Sequence, residues 1–287
     1  MITVGIPTYN EENSIARAIN SVLFQISLED EVIVIASGCV DNTVDEINKV
    51  MERDKRVRLV IQRARKGKAS ALNLMIKKAH GDIIVQTDGD VEVDRAAIDN
   101  LLKPFKNPKV GAVSGNPIPI ISKSNLFYDW TQMSYRKIGE IREKESKEGF
   151  CHLSGYLLAF RKEALKEIPF AKGAIDAVMG NEVRKAGWRI DYAPDALVYV
   201  KTPLTIRDFI AQKARVRAGY AALKDKPRTA GSEMLYFPKE LLKIPVGRWP
   251  KFIICAFVYA YCWAKGWYMT KTNKTLQQIW KVPESTK

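Results

Sequence analysis

Four short apolar runs separated by helix-patterned segments constrain this chain more than any other feature. They are "ITVGIP" (2–7), "EVIVIAS" (31–37), "VRLVIQR" (57–63) and "DIIVQTD" (82–88), each of strand length. Between them, 10–25 places Ile15, Ala18, Ile19 and Val22 at helical spacing, and 43–53 and 68–80 read as two further helices. Asn10 or Asn13 is expected to cap the first helix, with Glu11 and Glu12 beside its positive end. Strands alternating with helices form a parallel sheet with right-handed crossovers. Such sheets collect ligands outside the carboxyl ends of their strands. A chain of 287 residues has room for one large α/β domain, or one and a half.

The fourth run ends at Asp88-Gly89-Asp90, beside the expected ends of the first two strands. Two carboxylates so close in a buried recess repel each other and lose hydration, so a positive charge is expected with them. Mg2+ or Mn2+ carrying a diphosphate fits, because these hard cations bind through one or two carboxylates plus phosphate oxygens and water. Asp-Gly is also a common turn dipeptide, and the tripeptide alone does not choose between the two.

Composition narrows the partners. The formal net charge of +14 suits a nucleotide, a nucleic acid or an acidic membrane surface, although a solvated basic surface has the same signature. The cysteines Cys39, Cys151, Cys255 and Cys262 show no CxxC spacing, and His80 and His152 are the only histidines. That argues against zinc and for reduced thiols in the cytosol. "MITVGIPTYNEE" turns polar early, which predicts no signal peptide. "RKGKAS" lacks the spacing of a Walker loop and no GxGxxG occurs, so P-loop ATPases and dinucleotide oxidoreductases are disfavoured.

Five stretches occur in one order: "VGIPTYNEENSI", "ASGCVDNT", "GKASALN", "QTDGDV" and "SGYLLAFRKEAL". Through them, roughly residues 1–220 resemble a family 2 glycosyltransferase of the GT-A fold, the nucleotide-sugar-dependent and usually inverting class. The resemblance implies an α/β fold with a Rossmann-like, mostly parallel sheet flanked by helices. It also implies a catalytic domain over 1–225, with a nucleotide-sugar-binding half (1–100) and an acceptor-binding half (101–225). Inverting transfer needs two acidic sites. One neutralises the leaving nucleoside diphosphate through a cation, and the other takes the proton of the acceptor hydroxyl from the opposite face of the sugar.

By this resemblance Pro7, Tyr9 and Glu11 in the first loop, and Ser37 after the second strand, meet the base and ribose. Asp90 binds the metal, and Asp88 assists through the ribose or the ion. Arg65 and Lys68 are placed for phosphate, with the helix N-terminus at 68 adding its field. Many relatives carry aspartate where Ser37 stands, contacting uracil, so the base stays open between uridine, which is favoured, and guanosine. Gly155 lies in "CHLSGYLLAFRKEAL" (151–165), which reads as a strand with a helix behind it. By resemblance its missing side chain lets the backbone approach the acceptor sugars; a strand bulge would also use glycine. His152 is expected to be a satisfied partner and not a catalyst.

"GAIDAVMGNEVRKAGWRIDY" (173–192) resembles the family's acidic pair followed by an amphipathic helix. Asp176 falls on the position of the catalytic base, while Ile175 replaces the usual preceding glutamate. Glu182 is the alternative carboxylate, and a helix N-cap is the bland role for Asp176. "FIAQKARVRAG" (209–219) is similar to the Gln-x-x-Arg-Trp signature of polysaccharide synthases. Gln212 and Arg215 match it, whereas Val216 replaces the tryptophan, which points to single transfer and away from processive synthesis. Arg215 would then hold the diphosphate by two hydrogen bonds at once and Gln212 would face the acceptor; a solvated basic helix is the alternative.

Residues 226–287 are expected to form a helical, apolar and basic extension. Its uninterrupted apolar run, Phe252 to Ala264, is shorter than the roughly 20 residues that span a bilayer. Lys243, Arg248, Lys251, Lys265 and Lys271, with Trp249, Trp263, Trp267 and Tyr268, resemble an interfacial belt. Residues 240–271 are therefore expected on the cytoplasmic membrane face, close to a glycan or lipid-linked acceptor; packing on the catalytic domain is the alternative. Two rival functions are a metal-dependent nucleotidyltransferase, which would ordinarily open on a glycine-rich loop, and a nucleic-acid-binding module. The second leaves the ordered motifs unexplained, so no nucleic-acid partner is expected.

Overall fold

The computed structural model describes residues 1–169, 174–221, 223 and 233–272. Its first half follows the expected alternation: β1 (Ile2–Thr8), α1 (Ile15–Leu23), β2 (Glu31–Ser37), α2 (Thr43–Arg53), β3 (Val57–Gln62), α3 (Lys68–Lys78) and β4 (Ile83–Thr87). β1 runs parallel to β2 and β4, and β2 parallel to β3. All seven residues of β2 are buried. An apolar run without alternation is what a strand covered on both faces requires.

The second half adds β5 (Glu92–Val93), α4 (Ala97–Leu102), β6 (Val110–Ile120), α5 (Tyr128–Lys147), β7 (Leu157–Arg161), α6 (Ile175–Lys185), β8 (Arg189–Lys201), α7 (Ile206–Ala221), α8 (Glu233–Leu241) and α9 (Trp249–Lys271). Among the described residues the strands form one sheet in the order β3-β2-β1-β4-β7-β6-β8-β5. β7 is antiparallel to both of its neighbours, β4 and β6. Both expected halves, 1–100 and 101–225, thus contribute to one continuous sheet. The expected boundary between 225 and 226 lies outside the described residues.

One apolar layer, with Ile15, Ile19 and Val22 of α1, packs on one face of the sheet. A second, with Leu72 and Met75 of α3 and Met179 and Val183 of α6, packs on the other. A third cluster joins Phe127, Trp130 and Met133 to Phe209 of α7 and to Phe252, Cys255, Tyr259 and Cys262 of α9. Phe127 stacks on Phe209 at 4.2 Å between ring centres, and Trp130 packs 5.1 Å from Tyr259. α9 therefore buries one side against the catalytic domain. Its other side leaves Phe257, Trp267 and Tyr268 exposed.

Two local expectations are corrected and one alternative is set aside. Neither Asn10 nor Asn13 caps α1: Ser14 holds the N-cap position, Asn10 adopts a left-handed φ of 54°, and the Glu11 carboxylate accepts a hydrogen bond from the Ser14 hydroxyl at 2.9 Å. No helix stands behind β7, where Lys162 to Ala164 form a turn, because Ala164 N–H bonds back to the Arg161 carbonyl. Asp176 is not an N-cap, since Ala174 occupies that position.

Candidate active site

The carboxyl ends of β1, β2 and β4 and the loop before α3 enclose one cleft. Pro7, Thr8, Tyr9, Glu11, Ser37, Arg65, Lys68, Asp88 and Asp90 line it. The eight expected residues among these come from four separate segments, and the parallel strand order is what brings them together. Gly89 shows why only glycine fits between the carboxylates: a Cβ there would lie 2.8 Å from the Thr8 hydroxyl.

Lys68 Nζ lies 2.5 Å from Asp88 Oδ1, and Gln86 Nε2 lies 3.2 Å from the same oxygen. Both donors also reach the Gly155 carbonyl, at 3.3 and 3.0 Å. Burial pushes the Asp88 carboxyl above the usual carboxylate range against the pull of Lys68, and the charge of Asp176 adds to the rise. Asp90 is pushed up to about 6 by burial and by the neighbouring Asp88 charge. Two recessed carboxylates that hinder each other's ionisation form a hard-oxygen pair suited to a divalent cation. The buried Thr8 hydroxyl beside them has no hydrogen-bond partner. No group of three His, Cys, Asp or Glu converges among the described residues, so a cation held here would draw its other ligands from phosphate and water.

At another wall of the cleft the Arg65 guanidinium lies 3.7 Å from the centre of the Tyr9 ring, within cation–π distance. The Ser37 hydroxyl donates to Gln62 Oε1 at 2.6 Å, and Gln62 Nε2 donates to the Ser70 hydroxyl at 2.9 Å. Gln62 was not singled out from the sequence. Its place at the end of β3 was the available signal, since strand ends carry the ligand-facing positions.

Asp176 and Gly155 meet outside the lining of the cleft, beside the Lys68–Asp88 pair: a Cβ on Gly155 would lie 3.6 Å from Asp176 Oδ2, and the Gly155 carbonyl accepts from Lys68. Glu182, the alternative, pairs with Lys185 at 2.7 Å on the α6 surface. Arg215 projects from α7 toward Asp90 and Tyr156, and burial lowers its pKa against the attraction of those groups. Gln212 sits one turn earlier on α7, and both it and Arg215 lie outside the lining of the cleft. Tyr135 of α5 and Tyr156 also escaped sequence analysis. They lie close to each other and to Asp90, and each phenol is pushed up, Tyr156 by Tyr135 first and Tyr135 by burial first. His152 is satisfied by Glu145 at 2.9 Å, as expected.

The description Glycosyl transferase family 2 matches residues 3–169, more than half of the chain. The chain belongs to glycosyltransferase family 2. Poly-β-1,6-N-acetyl-D-glucosamine synthase of Staphylococcus aureus (strain MSSA476) is 31% identical over 224 residues, covering 76% of this chain and 54% of that protein. The chain spans about half the length of the curated relatives it matches. Among solved structures, the mannosyltransferase PcManGT of Pyrobaculum calidifontis, in complex with GDP-Man and Mn2+, has a TM-score of 0.71 at 21% identity, covering 95% of this chain and 87% of that one. Glucosyl-3-phosphoglycerate synthase of Mycobacterium tuberculosis, with Mn2+, UDP and its product, has a TM-score of 0.54 at 21% identity, covering 80% of each. These likenesses confirm the GT-A fold. Family 2 membership identifies a glycosyltransferase domain and sets aside the nucleotidyltransferase reading.

Proposed function

We propose that the protein moves a sugar from a nucleoside diphosphate sugar to an acceptor hydroxyl on a glycan or lipid-linked precursor, by a single inverting displacement. A UDP-sugar is the favoured donor and a GDP-sugar the alternative. The observation that carries this reading is the convergence of Tyr9, Arg65, Lys68, Asp88 and Asp90 on one cleft with Asp176 behind it.

Tyr9, Ser37 and the main chain at Pro7 form the base and ribose side, with Glu11 beneath the loop. Asp90, assisted by Asp88, would hold Mg2+ or Mn2+; the relatives with GDP-Man or UDP were solved with Mn2+. When bound, the cation would supply positive charge to the diphosphate. Lys68, Arg65 and Arg215 add donors of their own, and the half-buried Arg215 guanidinium can make a two-point contact to phosphate. Asp176 takes the acceptor proton as the hydroxyl attacks, and Gly155 leaves the backbone open beside it. Gln212 faces the acceptor side.

The outward face of α9 is the membrane-facing part of this reading. No helix of the described residues is long and apolar enough to cross a membrane. Several expected anchors are engaged within the protein: Arg248 pairs with Asp129 at 2.6 Å, Lys251 reaches the Ser124 carbonyl, and Trp249 donates to the Ile244 carbonyl. Phe257, Tyr261, Trp267 and Tyr268 remain outward with Lys265 and Lys271. That combination suits the headgroup depth of an anionic leaflet, on the cytoplasmic face.

The deciding experiment screens UDP- and GDP-sugars for donor turnover, with Mn2+ and with chelator, in wild type and Asp176→Asn. Metal-dependent turnover of one donor class is expected, with transfer lost in the variant while donor binding persists. Near-normal transfer by Asp176→Asn would assign the base elsewhere.

A further inference from the structure

α7 carries Arg215 toward the cleft, and another side of the same helix is held by α9, which lies beyond the family-matched residues 3–169. The two helices touch at Gly266. A Cβ there would lie 2.7 Å from Arg217 Cγ, 2.8 Å from Arg217 Cβ and 3.0 Å from the Ala214 carbonyl oxygen. Glycine is the poorest residue but proline inside a helix, and close approach is what it supplies here. One turn earlier on α9, Trp263 receives the Arg217 guanidinium at 3.1 Å from its ring centre. Lys213 completes the seam, 6.0 Å from the centre of the Tyr259 ring.

The seam therefore grips α7 at residues 213, 214 and 217. Successive residues turn by about 100° around a helix, so Arg215, inside the same turn, points elsewhere, toward Asp90 and Tyr156. A turn of hydrogen-bonded helix moves as a unit, and any shift at Ala214 or Arg217 is carried to Arg215.

We infer that Gly266, Trp263 and Arg217 are positioning residues that set the depth of α7 and thereby the reach of Arg215 into the cleft. The inference rests on the reading of Arg215 as a diphosphate ligand. A two-point contact to phosphate is sensitive to placement, since a misplacement of about 1 Å can cost on the order of 100-fold in rate. Through this seam the C-terminal extension is part of the catalytic apparatus, whatever its outer face contacts.

The test uses the full-length chain, the donor selected by the screen, and the corresponding free nucleoside diphosphate with Mn2+ as the binding probe. Gly266→Ala is expected to lower kcat by about tenfold or more and to weaken nucleoside diphosphate binding, with a cooperative melt retained. Gly247→Ala, where a Cβ meets nothing, should match wild type in all three measurements. Trp263→Phe, which keeps a ring under Arg217, should retain most of the activity that Trp263→Ala loses. The deciding measurement repeats Gly266→Ala in an Arg215→Ala background, where it should cost nothing further in kcat or binding. An equal proportional loss in both backgrounds overturns the inference alone. A silent Arg215→Ala overturns the diphosphate reading and the inference with it.

Discussion

Asp90→Asn separates the cost of the carboxylate pair from its use. In the metal-free protein burial and the Asp88 charge push Asp90 up to about 6, from 3.8 for an unperturbed aspartate. A folded-state pKa raised in an acid means that the fold favours the protonated form. Stability is thus fully present below the unfolded value and falls as pH rises through the folded one. A shift of about two pH units corresponds to about 3 kcal/mol by pH 8. Asparagine keeps the shape and removes the charge, so metal-free Asp90→Asn should be more stable than wild type near pH 8 and indistinguishable at about pH 3. For a chain of this size the gain amounts to roughly 5 °C or more in melting temperature. Mn2+ should raise the melting temperature of wild type near pH 8 and leave the variant unmoved, because binding to the native state alone stabilises it. Thermal melts followed by circular dichroism, after chelator treatment and then with Mn2+, make the comparison. A metal-free variant less stable than wild type near pH 8, or an equal response of both proteins to Mn2+, refutes the reasoning.

Other outcomes follow from the same geometry. Arg215→Ala should slow transfer by about 10- to 100-fold, as loss of a charge-assisted contact does, and Arg215→Lys should recover only part; steady-state rates with the selected donor decide. Glu31 accepts from the Thr3 hydroxyl, the His80 N–H and Arg58. Burial would raise its carboxyl, but these donors hold it below its usual value; its stabilisation is present above the unfolded pKa and disappears as pH falls through the folded one. Glu31→Gln should therefore cost about 1–3 kcal/mol at neutral pH and progressively less in acid, as measured by denaturant titration. Replacing Phe257 and Trp267 together by serine should release the protein from anionic vesicles at low salt without slowing turnover of a soluble acceptor; full-length wild type left in the supernatant refutes the membrane reading. Gly155→Ala should fold normally and raise the acceptor KM while sparing donor binding.

The parallel half of the sheet was legible because strands buried on both faces must be apolar throughout, and the bounds of β2 and α2 came out as the sequence implied. Asp88 and Asp90 were legible for a related reason, since an apolar run that stops at charge marks a strand end. The insertion of β7 between β4 and β6 was not, because strand order is set by pairing between distant segments that local pattern does not encode. Tyr135 and Tyr156 were missed on the same ground: they come together only in the fold. α9 was ambiguous because it is apolar nearly all round, so periodicity does not tell the packed side from the exposed one. Its inner side is defined by the packing of Trp130 and Phe209 on it and by the contact of its own Gly266 with α7, all of which exist only in three dimensions.

Gly155 ties the two acidic sites together. A glycine is ordinarily explained by strain or by crowding, and neither holds here: its φ is not among the positive ones, and the nearest atoms to an added Cβ are 3.6 to 3.7 Å away, an ordinary contact distance. The fold would accept alanine. What alanine would fill is the space beside Asp176, the residue nearest to that Cβ, while the Gly155 carbonyl accepts from Lys68 and Gln86. Displacement chemistry needs room between the group that receives the proton and the groups that receive the leaving charge, because the sugar carbon passes from one to the other. The Asp176 charge is near enough to raise Asp88; on the proposed function that room is therefore narrow, and the side chain missing at 155 helps to keep it open.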